Sequence, residues 1–381
     1  MSTDTKSVFE LLNSLRSGIA KVEEAVKADD VAGPATVAAV VMAEPEPSLI
    51  HPLEPNFQEG YEIKTPSGHV ITMTDVWNAY VAGENILIVG PTGCGKSSLA
   101  FHMLDKANEV TRVANRKVYN ENLTLAKAGK ELKLYHALPY EHVHFSCHEG
   151  TRSESLIGTV KVRINDKGDR EALVVYGSVV EAWTKGRTLI LEEMDFAPAG
   201  VWGETHQFFD GRTTETDIFV NGQERITKKN RFRVIATANT LGRGENQMEY
   251  AGTQLLNTAF LNRFTYIVKL GWLPATAESK LLQSKAGIIS TVADKLIAAA
   301  TQSRAAYEAQ TCDICISTRD LLSWSRECAR GELKIGKDIA KKLSMADYWN
   351  KIVVPAAYPT FLSRIVDKAT LTAFNTYLTL R

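Results

Sequence analysis

A glycine-rich turn at residues 90–97 constrains the fold of this chain more than any other feature. The turn reads GPTGCGKS and fits the pattern GxxxxGK[ST]. The apolar run NILIVG (85–90) precedes it, and a helix-like run that begins at Lys96 follows it. Glycines let the backbone curl so that successive N–H groups point inward, and a helix start adds the positive end of its dipole. The sequence therefore predicts a strand, a phosphate-holding turn and a helix.

This turn predicts a nucleotide-binding site. Lys96 would reach the β- and γ-phosphates of ATP, and the Ser97 hydroxyl would bind Mg²⁺. Cys94 suits a position that needs a small side chain, and a redox role is the weaker alternative. The expected binding residues are Gly90, Pro91, Thr92, Gly93, Cys94, Gly95, Lys96, Ser97 and Ser98.

The pattern from residue 60 onward alternates between apolar strands and helices. Near-continuous apolar strands separated by helices predict a parallel sheet that is covered on both faces. Five strands are expected, at 85–90, 142–147, 188–193, 233–239 and 265–272. Hairpins are expected at 159–176 and at 217–227, where Asn221-Gly222 is a strong turn signal. After Pro274 the sequence predicts helices only.

The chain divides into four predicted parts: an amphipathic helix (1–30), a linker (31–59), an α/β core (60–273) and a helical lid with C-terminal helices (274–381). Apolar residues in the first part repeat as a heptad seam, which suits either packing on the chain's own core or association with a partner. The apolar stretch 31–47 is too short to span a bilayer and contains Pro34, so no membrane span is expected.

Composition restricts the partners and the compartment. Lys+Arg and Asp+Glu are both 44, so the net charge is zero. A balanced charge makes nucleic acid the less favoured partner, although a local basic stripe stays compatible with it. The five cysteines are scattered and no secretory signal precedes them, which favours free thiols and a cytoplasmic location.

Acidic and amide side chains follow two of the predicted strands. LILEEMD ends in Glu192 and Glu193, and period-two strand geometry would send them to opposite sides. Glu192 would hold Mg²⁺ through water, Glu193 would polarise the attacking water, and Asp195 would extend the acidic edge. Asn239, at the end of IATAN, would hydrogen-bond the water and the γ-phosphate.

Two arginines are candidates for balancing charge in the transition state. Arg263, in FLNRF, lies on a helix that would not face this chain's own phosphates, so it is expected to act in a neighbouring copy's site. Arg319, in ISTRDLLSW, would touch the γ-phosphate of its own site from the start of a helix. Ser317 or Thr318 would cap that helix.

Two other clusters give weaker signals. EHVHFSCHEG (141–150) contains three histidines and a cysteine, but one strand segment does not form a closed four-ligand metal site. CDIC (312–315) has no second cysteine pair for zinc, so structural cysteines are the preferred interpretation.

With these motifs assembled, the chain resembles an AAA+ ATPase of the MoxR lineage, with the cobaltochelatase CobS subunit and the CbbQ/NorQ activators as the most similar branches. GPTGCGKSSLAFHM and SCHEGTRSESLIG carry the resemblance to CbbQ/NorQ. FRVIATANTLGRGENQMEYAGTQLLNTAFLNRF and STRDLLSWSREC carry the resemblance to CobS. The similarity covers about residues 60–330.

The resemblance implies a five-stranded parallel sheet, a helical lid, a hexameric ring and two inserted hairpins that project toward the pore or the partner. Lys161, Arg163 and Lys167 would make the first hairpin basic. One departure is Glu192-Glu193, where the family usually has Asp-Glu. Mg²⁺ keeps several waters, so hydrolysis is expected to survive at a lower rate.

Three functions remain open from the sequence. The first is a ring motor that remodels or activates a protein partner, as a chelatase subunit or a metalloenzyme activator. Such partners often carry a von Willebrand factor A domain, and because this chain contains no DxSxS element, that domain would belong to another polypeptide. The second is a nucleic-acid motor or loader, and the third is a nucleotide-gated structural ring with weak turnover.

Overall fold

The computed structural model describes residues 62–64, 70–128, 140–164, 168–220, 222–240, 253–312 and 314–379. The predicted N-terminal helix and the linker lie outside these ranges. Within these ranges, no helix has the length and apolar character needed to cross a membrane.

The chain divides into two compact units. One comprises Pro52–His102 and His142–Arg381, and the other comprises Met1–His51 and Met103–Glu141. The second unit is described only at residues 103–128 and 140–141. The candidate site below lies entirely within the first unit.

The first elements surround the glycine turn. They are β1 (Glu62–Lys64), β2 (Val70–Thr72), α1 (Met73–Ala82), β3 (Ile86–Val89) and α2 (Lys96–Lys127). Strands β1 and β2 pair in antiparallel fashion. Helix α2 begins at Lys96, as the sequence predicts, and it continues past the boundary between the two units.

The central elements alternate between strands and short helices. They are β4 (His142–Ser146), α3 (Ser153–Leu156), β5 (Gly158–Ile164), β6 (Arg170–Tyr176), α4 (Ser178–Lys185), β7 (Thr188–Glu192), α5 (Ala199–Thr205), β8 (Glu215–Ile218), β9 (Glu224–Thr227), β10 (Arg233–Ala238), α6 (Thr258–Leu261) and β11 (Tyr266–Lys269). Both predicted hairpins are present, as β5–β6 and β8–β9.

The described residues after Pro274 form helices and helical turns. They include α7 (Ala275–Ala286), α8 (Ser290–Glu308), α9 (Thr318–Ile335), α10 (Lys337–Ala340), α11 (Met345–Tyr348), α12 (Val354–Thr360) and α13 (Lys368–Tyr377). A π-helical turn at Trp349–Val353 joins α11 to α12. The predicted C-terminal helical region is confirmed.

Five strands form one parallel sheet in the order β11-β3-β10-β7-β4. The prediction of a five-stranded parallel sheet is therefore confirmed. The last strand is shorter than the predicted 265–272, because its partner β3 ends at Val89, opposite Lys269, where the chain enters the glycine turn.

Burial explains the apolar character of the central strands. All four residues of β3 are buried, and β7 and β10 are buried over nearly their whole lengths. One core cluster packs these strands against aromatic side chains that include Trp183, Trp202 and Phe208. A separate cluster around Trp324 and Trp349 forms the core of the C-terminal helices. The site described next lies at the sheet edge where β3, β7 and β10 end.

Candidate active site

A polar cavity of about 310 Å³ lies at the carboxyl ends of three neighbouring strands. Crevices outside this edge of an open parallel sheet are the usual ligand sites of α/β folds. The lining residues are Thr92, Gly93, Cys94, Gly95, Lys96, Ser97, Ser98, Ser146, Glu192, Glu193, Thr237, Asn239, Leu273, Leu281, Thr318, Arg319 and Leu322. Seven of the nine expected binding residues are in this set.

The glycine turn needs its glycines for two reasons. A β-carbon at Gly90 would lie 2.2 Å from the Leu270 carbonyl oxygen, so no larger residue fits there. Gly93 and Gly95 have φ values of 81° and 104°, which residues with a β-carbon rarely adopt. Gly90 and Pro91 do not line the cavity, but their carbonyl groups hold the lysine that does.

Lys96 bonds to three acceptors. Its Nζ donates to the Gly90 carbonyl at 2.7 Å, the Pro91 carbonyl at 3.0 Å and Asn239 Oδ1 at 2.8 Å. An ammonium has three N–H donors, so each one has an acceptor. Burial lowers the pKa of Lys96 from its usual value because the charged form loses hydration. None of the three acceptors is a carboxylate, so the ammonium suits an anionic ligand.

The two glutamates border the same cavity. Strand β7 ends at Glu192, and Glu193 adopts a left-handed conformation with φ 54° and ψ 44°. The predicted strand does not reach Glu193, so the period-two argument for opposite sides does not apply to this pair. The Glu193 N–H donates to Thr237 Oγ1 at 3.1 Å. The Glu192 carboxylate lies 2.7 Å from His144 Nε2 on the neighbouring strand β4.

The sequence suggested that Asp195 would extend the acidic edge, and the structure contradicts this. Its side chain is fully buried, and Oδ2 accepts hydrogen bonds from the Asn239 N–H, the Thr240 N–H and the Thr240 hydroxyl. Burial raises the pKa of Asp195, while these donors oppose the shift. Asp195 therefore anchors the chain where β10 ends and so sets the position of Asn239.

Asn239 stands at the end of β10, as predicted, and lines the cavity. Its Oδ1 accepts from Lys96 Nζ and, at 3.5 Å, from the Thr92 hydroxyl. The amide thus links the glycine turn to the strand beside it.

Arg319 enters the cavity from the C-terminal helices. Helix α9 begins with a capping box in which Ser317 Oγ accepts from the Asp320 N–H, so Ser317 is the cap. Arg319 is exposed and lines the cavity two residues later. The start of α9 lies against the glycine turn, since a β-carbon on Gly93 would be only 2.7 Å from Ser317 Oγ.

Arg263 is absent from the residues that line the cavity. It is half-buried, and its Nη1 donates to the Ala259 carbonyl at 2.5 Å. The guanidinium is therefore held beside its own short helix α6. This agrees with the expectation that it does not face this chain's own cavity.

The histidine segment forms no metal cluster. No group of three or more His, Cys, Asp or Glu side chains suited to a metal ion occurs within the residues described above. His142 and His144 instead contact the Phe101 ring edge, at centroid distances of 5.7 Å and 5.5 Å. Neither Cys312 nor Cys315 forms a disulfide.

The chemistry of the donors fits a nucleotide and Mg²⁺. The turn supplies backbone N–H groups and the Lys96 ammonium for phosphate oxygens, and its glycines allow close approach. The Ser97 hydroxyl and the Glu192 carboxylate, both lining the cavity, are hard oxygen ligands of the type that Mg²⁺ prefers.

Sequence reasoning missed several residues of the site. Thr237 is a buried polar residue in a strand that is otherwise apolar after Arg233, and this contrast is visible in the sequence. The contact between His144 and Glu192 joins positions that are 48 residues apart, and no local pattern indicates it. The three lining leucines belong to segments that only the folded chain brings together: Leu273, Leu281 and Leu322.

Comparison with known proteins gives one family match. Residues 129–256 match the model of the AAA domain (dynein-related subfamily). The matched segment includes β4, β7 and β10 but begins after the glycine turn.

Two similar bacterial proteins align with longer parts of the chain, and their names give no activity. The protein named "Uncharacterized protein YojN" from Bacillus subtilis (strain 168) is 25% identical over 286 residues, which cover 72% of this chain and 79% of that protein. "Uncharacterized protein SSP1341" from Staphylococcus saprophyticus is 26% identical over 184 residues. That alignment covers 48% of this chain and 54% of the staphylococcal protein, so the chain spans about half the length of that relative.

Two mutant forms of Thermotoga maritima RuvB align with 77% of this chain at 11% identity, covering 73% and 67% of their own chains. Their TM-scores are 0.44 and 0.38. The fold assignment depends instead on the strand order, the glycine turn and the family match. Together these give an α/β P-loop fold with a C-terminal helical region, in which residues 129–256 are similar to the AAA domain.

Proposed function

We propose that this chain is an ATP-hydrolysing ring motor of the MoxR lineage that remodels or activates a protein partner. The observation that carries the proposal is convergence on one cavity. Lys96 and Ser97 from the glycine turn, Glu193 from the end of β7, Asn239 from the end of β10 and Arg319 from α9 all line it.

The residues divide the chemistry among them. Water attacks the γ-phosphorus, the bond to the bridging oxygen breaks, and ADP and phosphate leave. Glu193 orients the water and accepts its proton as the bond to phosphorus forms. Asn239 hydrogen-bonds the water and the γ-phosphate. Lys96 and Arg319 balance the negative charge of the transferring group. Ser97 and Glu192 would hold Mg²⁺, which would supply positive charge to neutralise the phosphates.

Lys96 must exchange acceptors during this cycle. All three of its N–H donors bond to protein oxygens, so binding a phosphate oxygen replaces at least one of these bonds. We propose that the bond replaced is the one to Asn239, whose Oδ1 is then released from the ammonium. Nucleotide binding and the orientation of Asn239 are coupled through this bond.

A ring of copies would let the Arg263 guanidinium of one subunit reach the cavity of the next. Arg263 does not line its own cavity, which supports a role in the site of an adjacent copy. We infer a homo-oligomer, a hexamer by analogy with the lineage that the sequence resembles. Each site is then completed by a guanidinium from the next subunit.

The partner is inferred to be a protein. Hairpin β5–β6 exposes Val162 and Ile164, which are 68% and 72% exposed, beside the charged side chains of Lys161 and Arg163. Apolar side chains on a projecting hairpin suit contact with protein. The resemblance to CobS and CbbQ/NorQ suits a partner that carries a von Willebrand factor A domain. Such a partner would belong to a metal chelatase or to another metalloenzyme.

One experiment tests the proposal. Phosphate release by the purified chain is measured with ATP and Mg²⁺, alone, with a protein that co-purifies from the native source, and with single- or double-stranded DNA. We expect Mg²⁺-dependent turnover that the protein stimulates and DNA does not. Stimulation by DNA alone would favour a nucleic-acid motor, and negligible turnover with the partner present would favour a structural ring.

A further inference from the structure

A buried ion pair lies in the C-terminal helices, and the proposed hydrolysis does not use it. Glu278 on α7 accepts hydrogen bonds from both terminal nitrogens of Arg304 on α8, each at 2.9 Å. The two residues are 0% and 6% exposed. Removing two charges from water costs several kcal/mol per ion, so a pair this deep persists only with good geometry and further hydrogen bonds.

Arg304 makes two of these further contacts. Its Cζ lies 4.4 Å from the centre of the Trp272 ring, in cation–π geometry. Its Nε donates to the Ile316 carbonyl at 2.9 Å. The neighbouring Ser303 hydroxyl accepts from the Ile316 N–H at 3.0 Å. Helix α8 therefore holds both backbone polar groups of Ile316.

Glu278 holds the next part of the same segment. Its Oε1 accepts from the Thr318 hydroxyl at 2.5 Å, in addition to the arginine. Thr318 is 5% exposed. Residues 316–318 are thus fixed from two helices, α7 and α8, immediately before Arg319.

This fixed segment abuts the glycine turn. A β-carbon on Gly93 would lie 2.7 Å from Ser317 Oγ and 3.4 Å from Arg319 Cβ. Thr318 and Arg319 both line the cavity. A small displacement of residues 316–318 would therefore move the Arg319 guanidinium relative to the phosphate-binding turn.

We propose that Glu278, Arg304 and Thr318 are positioning residues that set the place of Arg319 in the nucleotide site. The proposal rests on the proposed function, in which Arg319 contacts the γ-phosphate. Trp272 belongs to the connection between β11 and α7, so the same network ties Arg319 to the junction between the sheet and the helices.

The test separates positioning from simple stabilisation. Binding of a fluorescent ATP analogue with Mg²⁺ is titrated in a Glu193→Gln background, with and without Arg319→Ala. Thr318→Val keeps the shape of the side chain and removes its donor. We expect it to weaken binding by about threefold to tenfold when Arg319 is present, the size of effect that an ordinary intramolecular hydrogen bond has. With Arg319→Ala in place, we expect no additional loss.

Two further variants complete the design. Glu278→Gln repeats the test at a residue that does not line the cavity, with thermal melting to establish that it folds. Tyr348→Phe is the matched control, because Tyr348 is also a buried residue whose hydroxyl donates to a glutamate, Glu332 at 2.6 Å, in the same helical region. It should leave nucleotide binding unchanged.

Amide hydrogen exchange of residues 316–321, measured without nucleotide, gives an independent readout. Thr318→Val should speed exchange there, and Tyr348→Phe should not. Unchanged exchange, unchanged binding, or a loss that adds to that of Arg319→Ala would overturn the positioning role. A parent chain that binds no nucleotide would overturn the proposed function instead, and the exchange result would still decide whether the network fixes this segment.

Discussion

At the scale of single residues, one carboxylate of the site belongs to a residue with a left-handed backbone conformation. Glu193 is one of two non-glycine residues with positive φ among the described residues, and its N–H is fixed by Thr237. Such a conformation costs about 1–3 kcal/mol and persists only where surrounding contacts hold it. Here it places a second carboxylate beside the cavity directly after the first.

Glu193→Gln should abolish ATP turnover and preserve nucleotide binding. The amide keeps the shape and the backbone N–H bond but cannot draw a proton from water, so we expect a loss of about 100-fold or more in kcat. Phosphate release and analogue binding measure the two effects. Glu204→Gln, the same change at an exposed residue of α5, should change neither. Full turnover by the Glu193→Gln chain would refute its role.

The cysteine thiols should differ in reactivity. Burial raises the pKa of Cys94, and burial followed by repulsion from Asp195 and Glu193 raises the pKa of Cys147 to about 12. The thiolate is the reactive form, so at pH 8 both should resist alkylation, with reactivity rising only at higher pH or on unfolding. Partly exposed Cys315 should be modified first. Peptide mass spectrometry with iodoacetamide measures the order, and rapid labelling of Cys147 at pH 8 would contradict it.

At the scale of elements, the two hairpins are insertions into an otherwise regular α/β alternation. Hairpin β5–β6 separates the short helix α3 from α4 and pairs over seven residues on each strand. Its register makes Gly158 the partner of Tyr176 at the base. A β-carbon on Gly158 would lie 2.8 Å from the Val175 carbonyl, so this glycine permits close approach of the strands.

The apolar side chains of β5 should serve contact with a partner and not stability. A Val162→Ser/Ile164→Ser chain should keep its free energy of unfolding within about 1 kcal/mol, since each exposed substitution changes it by about 0.5 kcal/mol or less. Basal ATP turnover should also persist, while stimulation by the protein partner should fall. Ile339→Ser, at a comparably exposed isoleucine of α10, is the control. Undiminished stimulation would exclude the hairpin from the interface.

At the scale of the whole molecule, the proposed mechanism gives one chain most of a catalytic site and not all of it. Lys96, Glu193, Asn239 and Arg319 line one cavity, whereas Arg263 lies outside it. In the proposed mechanism, activity therefore depends on assembly, because each copy needs a charge that it does not supply to itself.

Arg263→Ala should bind ATP and lose turnover. An arginine supplied in trans is worth about 10³-fold or more in kcat in other phosphoryl-transfer enzymes. Mixing this chain with the Glu193→Gln chain should restore part of the activity, because some interfaces then combine an intact Glu193 with an intact Arg263. Phosphate release across a series of mixing ratios measures the rescue. If no ratio restores activity, the sites are not shared between copies.

Local patterns in the sequence were sufficient for the P-loop, for the five parallel strands and for the placement of Glu193 and Asn239 at strand ends. Each of these depends on residues that are neighbours along the chain, namely glycines before Lys96 or an apolar run that ends in a polar side chain. Backbone geometry and side-chain periodicity act over such short distances, so a single sequence contains them.

The tertiary structure alone decided how these parts are held. Asp195 turns inward to anchor Asn239 and Thr240, His144 meets Glu192, and Glu278 pairs with Arg304 beside Thr318. The partners are 26 to 48 residues apart. Which of them meet depends on strand order and on how α7 and α8 pack. Since burial changes the cost of every charge involved, these contacts exist only once the surrounding core has formed.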